Sequence, residues 1–270
     1  MAKVRIDVLL VERGLAESRT LAQRLVMAGE VRADGELVPK PSSLVPPQAV
    51  LDVDRKPRFV SRGGEKLLAA LQAFSIEVIG KTCADAGAST GGFTDCLLQQ
   101  GAARVFTIDV GRGILHWKLR NDPRVVVMEE CNARYLNSLP EPVDLITIDV
   151  SFISLKVLLP VVKGWFDPPH LPDKVEETRS EKPVIALIKP QFEAGRSQVA
   201  RGSGVIHDSV VHRQVLENTL AFAIGMGYEV RGLVRSPLLG PKGNTEFLAW
   251  LDLTGKPSNE VKEFIDNVFK

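Results

Sequence analysis

A glycine-rich turn is set between a short apolar run and a helical pattern: Lys81-Thr-Cys-Ala-Asp-Ala-Gly87-Ala-Ser-Thr-Gly91-Gly92-Phe-Thr-Asp95. A strand that ends in glycines and restarts as a helix brings bare backbone close to a ligand. About one strand–helix–strand step later, the run Val105-Phe-Thr-Ile ends in Asp109, where a carboxylate can accept hydrogen bonds from both hydroxyls of a ribose. Further strands read at 125–128, 145–149, 184–188, 228–234 and 246–253 alternate with helical patterns, which predicts an α/β fold built on an open sheet.

Two cofactors fit such a turn, a dinucleotide and S-adenosylmethionine. A dinucleotide site wants G-x-G-x-x-G so that a pyrophosphate can approach, and here Ala88-Ser89 falls where the second glycine should stand, which weakens that reading. Acids and lysines also recur at the ends of the apolar runs: Asp149 after Leu-Ile-Thr-Ile, Lys189 after Val-Ile-Ala-Leu-Ile, and Glu246 opening Glu-Phe-Leu-Ala-Trp. In an open α/β sheet the carboxyl ends of the strands form the ligand crevice, so Asp149 and Lys189 are expected to face one cleft. Lys66, from Ser61-Arg-Gly-Gly-Glu-Lys66, completes a set of two cations and two anions.

Residues 1–60 have a different character. Asp7 is expected to cap a first helix that stops at Gly14, and Ser18 a second that stops at Gly29, with Leu21, Leu25 and Val26 facing inward. Two short strands then flank Asp34-Gly35, a dipeptide suited to a tight hairpin turn. Arg5, Arg19 and Arg24 are the candidate RNA contacts; Arg19 opens the second helix, where side-chain charge and free N–H groups can share a phosphate. The order R-I-D-x-x-L, G-L-x-x-S-R-x-x-A, G-x-V-x-x-D-G from Arg5 to Gly35 resembles a small α+β RNA-binding module, here called S-four-like, found in a ribosomal small-subunit protein, in pseudouridine synthases and in some RNA methyltransferases.

Composition narrows the function classes. Lys+Arg 34 against Asp+Glu 33 leaves a formal charge of +1, so any nucleic-acid contact comes from local patches. No apolar run reaches the roughly 18–20 residues that span a bilayer, and the N-terminus carries Arg5, Asp7, Glu12 and Arg13 where a signal peptide needs an apolar centre. Cys83, Cys96 and Cys131 form neither a disulfide framework nor a zinc spacing, and the expected compartment is the cytosol. His116, His170, His207 and His212 lack metal-ligand spacing, so no metal is expected. The charged stretch 55–60 reads as an interdomain linker and 166–183, rich in proline and charge, as a surface loop. His116-Trp117-Lys118 can present an aromatic ring and cations to RNA, or bury Trp117 in the core.

Taken together, S-R-G-G-E-K-L (61–67), D-A-G-A-S-T-G-G-F-T-D-C-L-L (85–98), D-V-G-R-G-I-L-H-W-K-L-R (109–120), I-D-V-S-F-I-S-L (148–155), L-I-K-P-Q-F-E (187–193) and N-T-E-F (244–247) resemble the TlyA family, the hemolysin-A-like ribosomal RNA 2′-O-methyltransferases. The resemblance covers nearly the whole chain. It departs at Ala86, where a β-branched residue is expected, and in the loop at 166–183. It implies an S-four-like domain with linker at 1–60 and, at 61–270, a Rossmann-like class I methyltransferase domain of the FtsJ type that uses S-adenosylmethionine. It maps a Lys-Asp-Lys-Glu tetrad onto Lys66, Asp149, Lys189 and Glu246. The chemistry agrees: a ribose hydroxyl must lose its proton to attack, and Lys189 is the candidate base, with Asp149 holding it near the methyl group and Lys66 and Glu246 orienting the base and the hydroxyl. Gly87, Ala88, Ser89, Gly91, Gly92 and Phe93 would surround the methionine part of the cofactor, Asp109 its ribose, and Asn132 the adenine edge. Ribosomal RNA in ribosomal subunits is the implied partner, with cytidine ribose as acceptor; neither DNA nor a membrane is expected. Two alternatives are an RNA-binding protein with an inactive methyltransferase domain, which would not need all four tetrad residues, and a hemolysin-like membrane-active protein, which needs an apolar or amphipathic segment not seen in the sequence.

Overall fold

A computed structural model describes residues 3–53, 57–167, 181–194, 204–240, 242–253 and 260–270. Residues 55 and 56 of the stretch read as a linker and 168–180 of the proline-rich loop lie outside the described residues. The chain forms two compact units, Met1–Arg58 and Phe59–Lys270.

The first unit contains β1 (Val4–Arg5), α1 (Ile6–Glu12), α2 (Arg19–Met27), β2 (Val31–Ala33), β3 (Glu36–Leu37), β4 (Leu44–Val45) and β5 (Leu51–Val53). β2 lies between β3 and β5 in an antiparallel sheet, and β1 pairs with β4. Asp34 and Gly35 both have positive φ (53° and 83°), the twist a two-residue hairpin needs. Ser18 caps α2, its Oγ accepting the N–H of Leu21 at 3.2 Å. Ile6, Leu10, Ala22, Val26 and Val31 bury the apolar faces of both helices against the sheet.

Asp7 departs from the cap expected of it. The residue before α1 is Arg5, which makes no side-chain cap, and Asp7 sits inside the first turn, fully buried. Its carboxylate accepts from Arg5 Nε and Nη2, Arg19 Nε and Gln23 Nε2, each at 3.0 Å. A buried carboxylate is tolerated only when its lone pairs are filled, and these three side chains fill them. Arg5 and Arg19 are therefore committed to Asp7 on one side while staying partly exposed, whereas Arg24 is exposed on α2. The hydrogen bond from Arg5, followed by those from Gln23 and Arg19, holds the Asp7 carboxyl well below its ordinary value of 3.8. Its contribution to stability is thus complete above that value and lost as pH falls below it. Amide NMR of the full chain during acid titration checks this: Asp7→Asn is expected to weaken the first unit at neutral pH and to remove its low-pH step, and identical acid profiles would contradict the account.

The second unit runs α3 (Gly63–Phe74), β6 (Thr82–Ala86), α4 (Gly92–Gln99), β7 (Arg104–Ile108), α5 (Trp117–Arg120), β8 (Val125–Met128), β9 (Leu145–Ile148), α6 (Leu155–Val162), β10 (Pro183–Ile188), α7 (Pro190–Glu193), α8 (Ser209–Gly225), β11 (Glu229–Arg235), β12 (Phe247–Asp252) and α9 (Val261–Asn267). Its seven-stranded sheet has the order β11-β12-β10-β9-β6-β7-β8, parallel except for β12. Every residue of β9 and β10 is buried, as expected of central strands covered on both faces. Alternate residues of β10 serve the two cores: Val184, Ala186 and Ile188 pack with Leu158 of α6 and Leu216 of α8, while Ile185 and Leu187 pack with Leu67 of α3 and Leu97 of α4.

Strand order reverses at β6, which pairs with β7 on one side and β9 on the other. The carboxyl ends of β6 and β9 therefore flank the switch point where ligands bind in open α/β sheets. Because β12 runs against its neighbours, its first residues lie at this same edge, with Phe247 opposite Ile188. Glu246 and Lys189, 57 positions apart in sequence, are thereby brought to one rim.

Candidate active site and its relatives

The turn after β6 is held open by glycine. At Gly87 (φ 85°) a Cβ would stand 2.6 Å from the backbone oxygen of Asp149, and at Gly92 one would stand 2.2 Å from Ser61 Oγ. Only backbone fits between these neighbours, so the inner surface of the turn is left for a ligand. Beneath the turn, the fully buried carboxyl of Asp85 accepts the hydroxyls of Thr94 (2.7 Å) and Thr147 (3.1 Å), tying β6 to the start of α4 and to β9. Burial pushes the Asp85 carboxyl up to about 7, against the pull of the two threonines.

Asp109, just past β7, is pre-set by the same turn: its Oδ2 accepts Ser89 N–H at 2.8 Å and its Oδ1 accepts Gly111 N–H at 2.7 Å. Each carboxylate oxygen keeps a second lone pair for a ribose hydroxyl. Asp109 lines a cavity of about 260 Å³ with Asn132, Val110, Cys131 and Ala133. Asn132 is exposed; its side-chain oxygen accepts Arg134 N–H at 3.1 Å, which leaves its amide NH2 for a ligand edge. Val110 was not singled out in the sequence, and Cys131 was read there only as a cysteine without disulfide or zinc spacing.

A larger cavity, about 700 Å³, brings all four tetrad residues together with Gly87, Ala88, Ser89, Gly92 and Phe93. Gly91 stands apart: its φ of 96° and its contact with Leu115 and Leu119 make it the hinge into α4, and it does not line the cavity. Within the cavity the charged groups form two ion pairs. Lys66 Nζ meets Glu246 Oε2 at 2.5 Å, both nearly buried. Lys189 Nζ meets Asp149 Oδ1 at 2.6 Å, donates to Ser151 Oγ at 3.1 Å, and lies 5.9 Å from the centre of the Phe192 ring. Cations buried beside an apolar ring are retained only when paired, and each lysine here has its own carboxylate.

Two further residues at the cavity mouth escaped the sequence reading. Phe152 is 90% exposed with φ at 66°, and its ring lies 5.0 Å from that of Phe192. A bulky side chain held in the left-handed region and offered to solvent is strain of the kind kept at functional sites. The only signal was the unbroken Ser151-Phe-Ile-Ser154 after Asp149, which reads locally as a strand end. Trp117 is 72% exposed on α5, so it does not belong to the core, and Lys118 pairs with Asp95 at 3.4 Å.

The cradle fits S-adenosylmethionine. Bare glycine backbone would take the methionine part, Asp109 the ribose and the Val110–Cys131 slot the adenine, and the larger cavity would leave room beside it for an acceptor.

Comparison with known proteins agrees. Residues 59–253 match the FtsJ-like methyltransferase model and residues 4–51 match the S4 domain. The chain is 45% identical to the 16S/23S rRNA (cytidine-2′-O)-methyltransferase TlyA of Mycobacterium tuberculosis, over 92% of this chain and 90% of that one. It is 39% identical to Hemolysin A of Brachyspira hyodysenteriae, over 91% and 98%. A solved structure of a hemolysin-named protein from Streptococcus thermophilus covers 100% of this chain and 96% of its own at 42% identity, with a TM-score of 0.69. Among the described residues no helix is long and apolar enough to cross a membrane. The chain belongs to the TlyA family of S-adenosylmethionine-dependent rRNA methyltransferases, an S4 domain followed by an FtsJ-like methyltransferase domain.

Proposed function

We propose that this protein methylates the ribose 2′-hydroxyl of cytidine in ribosomal RNA, acting on ribosomal subunits. The observation that carries this reading is the meeting of the Lys66–Glu246 and Lys189–Asp149 pairs in one cavity with the glycine turn. When bound, S-adenosylmethionine supplies an electrophilic methyl group on a sulfonium. A ribose hydroxyl is a poor nucleophile at neutral pH, so the protein must place it in line and remove its proton. Lys189 is the group placed to take that proton, and Asp149 and Ser151 hold its side-chain nitrogen and steady the ammonium that results. Lys66 and Glu246 orient the base and the hydroxyl, the lysine donating to the hydroxyl oxygen and the carboxylate holding that lysine in place. Arg5, Arg19 and Arg24 contact RNA phosphates from the S4 domain.

The Phe152–Phe192 shelf is where the base of the target nucleotide stacks. Stacking on an aromatic ring is worth about 1–3 kcal/mol per base, so Phe152→Ala is expected to lower kcat/KM for RNA by about tenfold or more. Its Kd for S-adenosylmethionine, whose adenine slot Phe152 also borders, should change by less; equal loss of both would assign Phe152 to the cofactor slot or the fold instead.

Incubation with purified 30S and 50S subunits and methyl-labelled S-adenosylmethionine tests the substrate assignment. Label in the rRNA of at least one subunit is expected. Measurable cofactor binding without transfer to either subunit would favour an RNA-binding protein with an inactive methyltransferase domain.

A further inference from the structure

One carboxylate outside the tetrad joins the two segments that carry the Lys189–Asp149 pair. Glu193 ends α7, one helical turn after Lys189. Its Oε2 accepts the hydroxyl of Ser154 at 2.6 Å and its Oε1 accepts the backbone N–H of Leu155 at 2.7 Å. Ser154 and Leu155 form the start of α6, reached from Asp149 through Val150-Ser-Phe-Ile153. The N–H of Leu155 belongs to the first turn of that helix and has no acceptor within it, so a carboxylate from another segment satisfies a donor that the helix cannot. Ser154 contributes twice: its Oγ accepts Lys156 N–H at 3.2 Å as the cap of α6 while donating to Glu193.

The arrangement is a closed ring. The chain leaves β9 at Asp149, passes through the strained Phe152, and is caught by Glu193; from there α7 leads back through Phe192 to Lys189, which meets Asp149 at 2.6 Å. A backbone conformation such as that of Phe152 persists only where its surroundings over-determine it, and the two hydrogen bonds to Glu193 lie on the side of the ring opposite the ion pair. We infer that Glu193 is a positioning residue that locks the segment 149–154 to the segment 189–192, setting the Lys189–Asp149 contact and the place of the Phe152 ring. Its consequence for turnover rests on the role of Lys189 proposed above.

The test has two arms. Hydrogen exchange on the full chain reads the lock without any substrate. Glu193→Ala is expected to speed exchange at least about tenfold across 150–156 and 189–193, the loss of hydrogen bonds to a charged group, while β6, β7 and α4 keep their rates. Methyl transfer at saturating cofactor and RNA reads the consequence: kcat for Glu193→Ala should fall by about 10- to 100-fold with Kd for S-adenosylmethionine within about twofold. Glu193→Gln, whose amide oxygen can accept from Leu155 and whose NH2 can donate to Ser154, should recover both readouts to within about threefold of wild type. If Glu193→Ala does not fold, Ser154→Ala removes one bond of the two and is expected to show the same changes at smaller size.

Wild-type exchange in both segments of a folded Glu193→Ala or Ser154→Ala protein would overturn the inference. So would a glutamine variant as impaired as the alanine one. If the wild-type protein itself transfers nothing to ribosomal RNA, the substrate reading fails, and the exchange arm still decides whether Glu193 is the lock.

Discussion

Replacing Lys189 with alanine is expected to reduce methyl transfer to RNA by about 10³-fold, the middle to upper range for loss of a positioned base. Binding of S-adenosylmethionine should change by no more than about threefold, because Lys189 makes its contacts to Asp149, Ser151 and Phe192, none of which belongs to the glycine turn or to the ribose carboxylate. Calorimetry of cofactor binding beside single-turnover transfer separates the two quantities. Comparable loss of both would remove Lys189 from the role of base and make it a strut of the cofactor site. Lys189→Arg is a sharper control: it keeps the charge that pairs with Asp149 but cannot give up a proton near neutral pH, so it should be nearly as inactive as alanine while more stable.

The second large effect concerns the Lys66–Glu246 pair. Glu246 is 1% exposed and receives Lys66 Nζ at 2.5 Å, with Gln191 Nε2 at 3.5 Å from its other oxygen. Glu246→Ala leaves the Lys66 ammonium buried without its carboxylate, a defect worth about 3–5 kcal/mol. For a unit of this size that corresponds to a fall in Tm of about 10 °C. Transfer should also drop, since the acceptor hydroxyl loses its orienting pair. The double variant Lys66→Met/Glu246→Leu separates the two effects: apolar side chains of similar volume should restore most of the Tm while leaving transfer at the level of the single variant. Recovery of activity along with stability would show that the pair serves the fold alone.

Three of the tetrad and the cofactor turn were legible in the sequence because they sit at strand boundaries, whereas Lys66 lies in α3 and was legible only through the motif Ser61-Arg-Gly-Gly-Glu-Lys66. Asp149 and Lys189 follow apolar runs, Glu246 precedes one, and the reversal of β12 puts that beginning at the same edge as the others' ends. Gly87 and Gly92 were legible through the close approach they permit, and Gly91 was read as ligand-facing although its freedom serves the bend into α4. What stayed hidden depends on contacts between distant segments. Asp7 reads locally as a helix cap, yet Arg19 and Gln23, 12 and 16 residues on, make its burial favourable. Phe152 looks like one more apolar residue until its φ and exposure are seen, and Glu193 becomes a lock only once α6 begins beside it, 38 residues earlier in the chain. Local patterns report which residues reach the cleft; pairing among them is set by sheet order and register.

Identification of the methylated product decides whether the methyl group goes to the ribose. Ribosomal RNA labelled by the protein with methyl-labelled S-adenosylmethionine is treated with alkali, which cleaves every linkage that has a free 2′-hydroxyl. The account predicts that the label is retained in alkali-resistant dinucleotides, that nucleoside mass spectrometry identifies it as 2′-O-methylcytidine, and that it is lost in the Lys189→Ala protein. Label recovered in ordinary mononucleotides with the methyl on a base would contradict it.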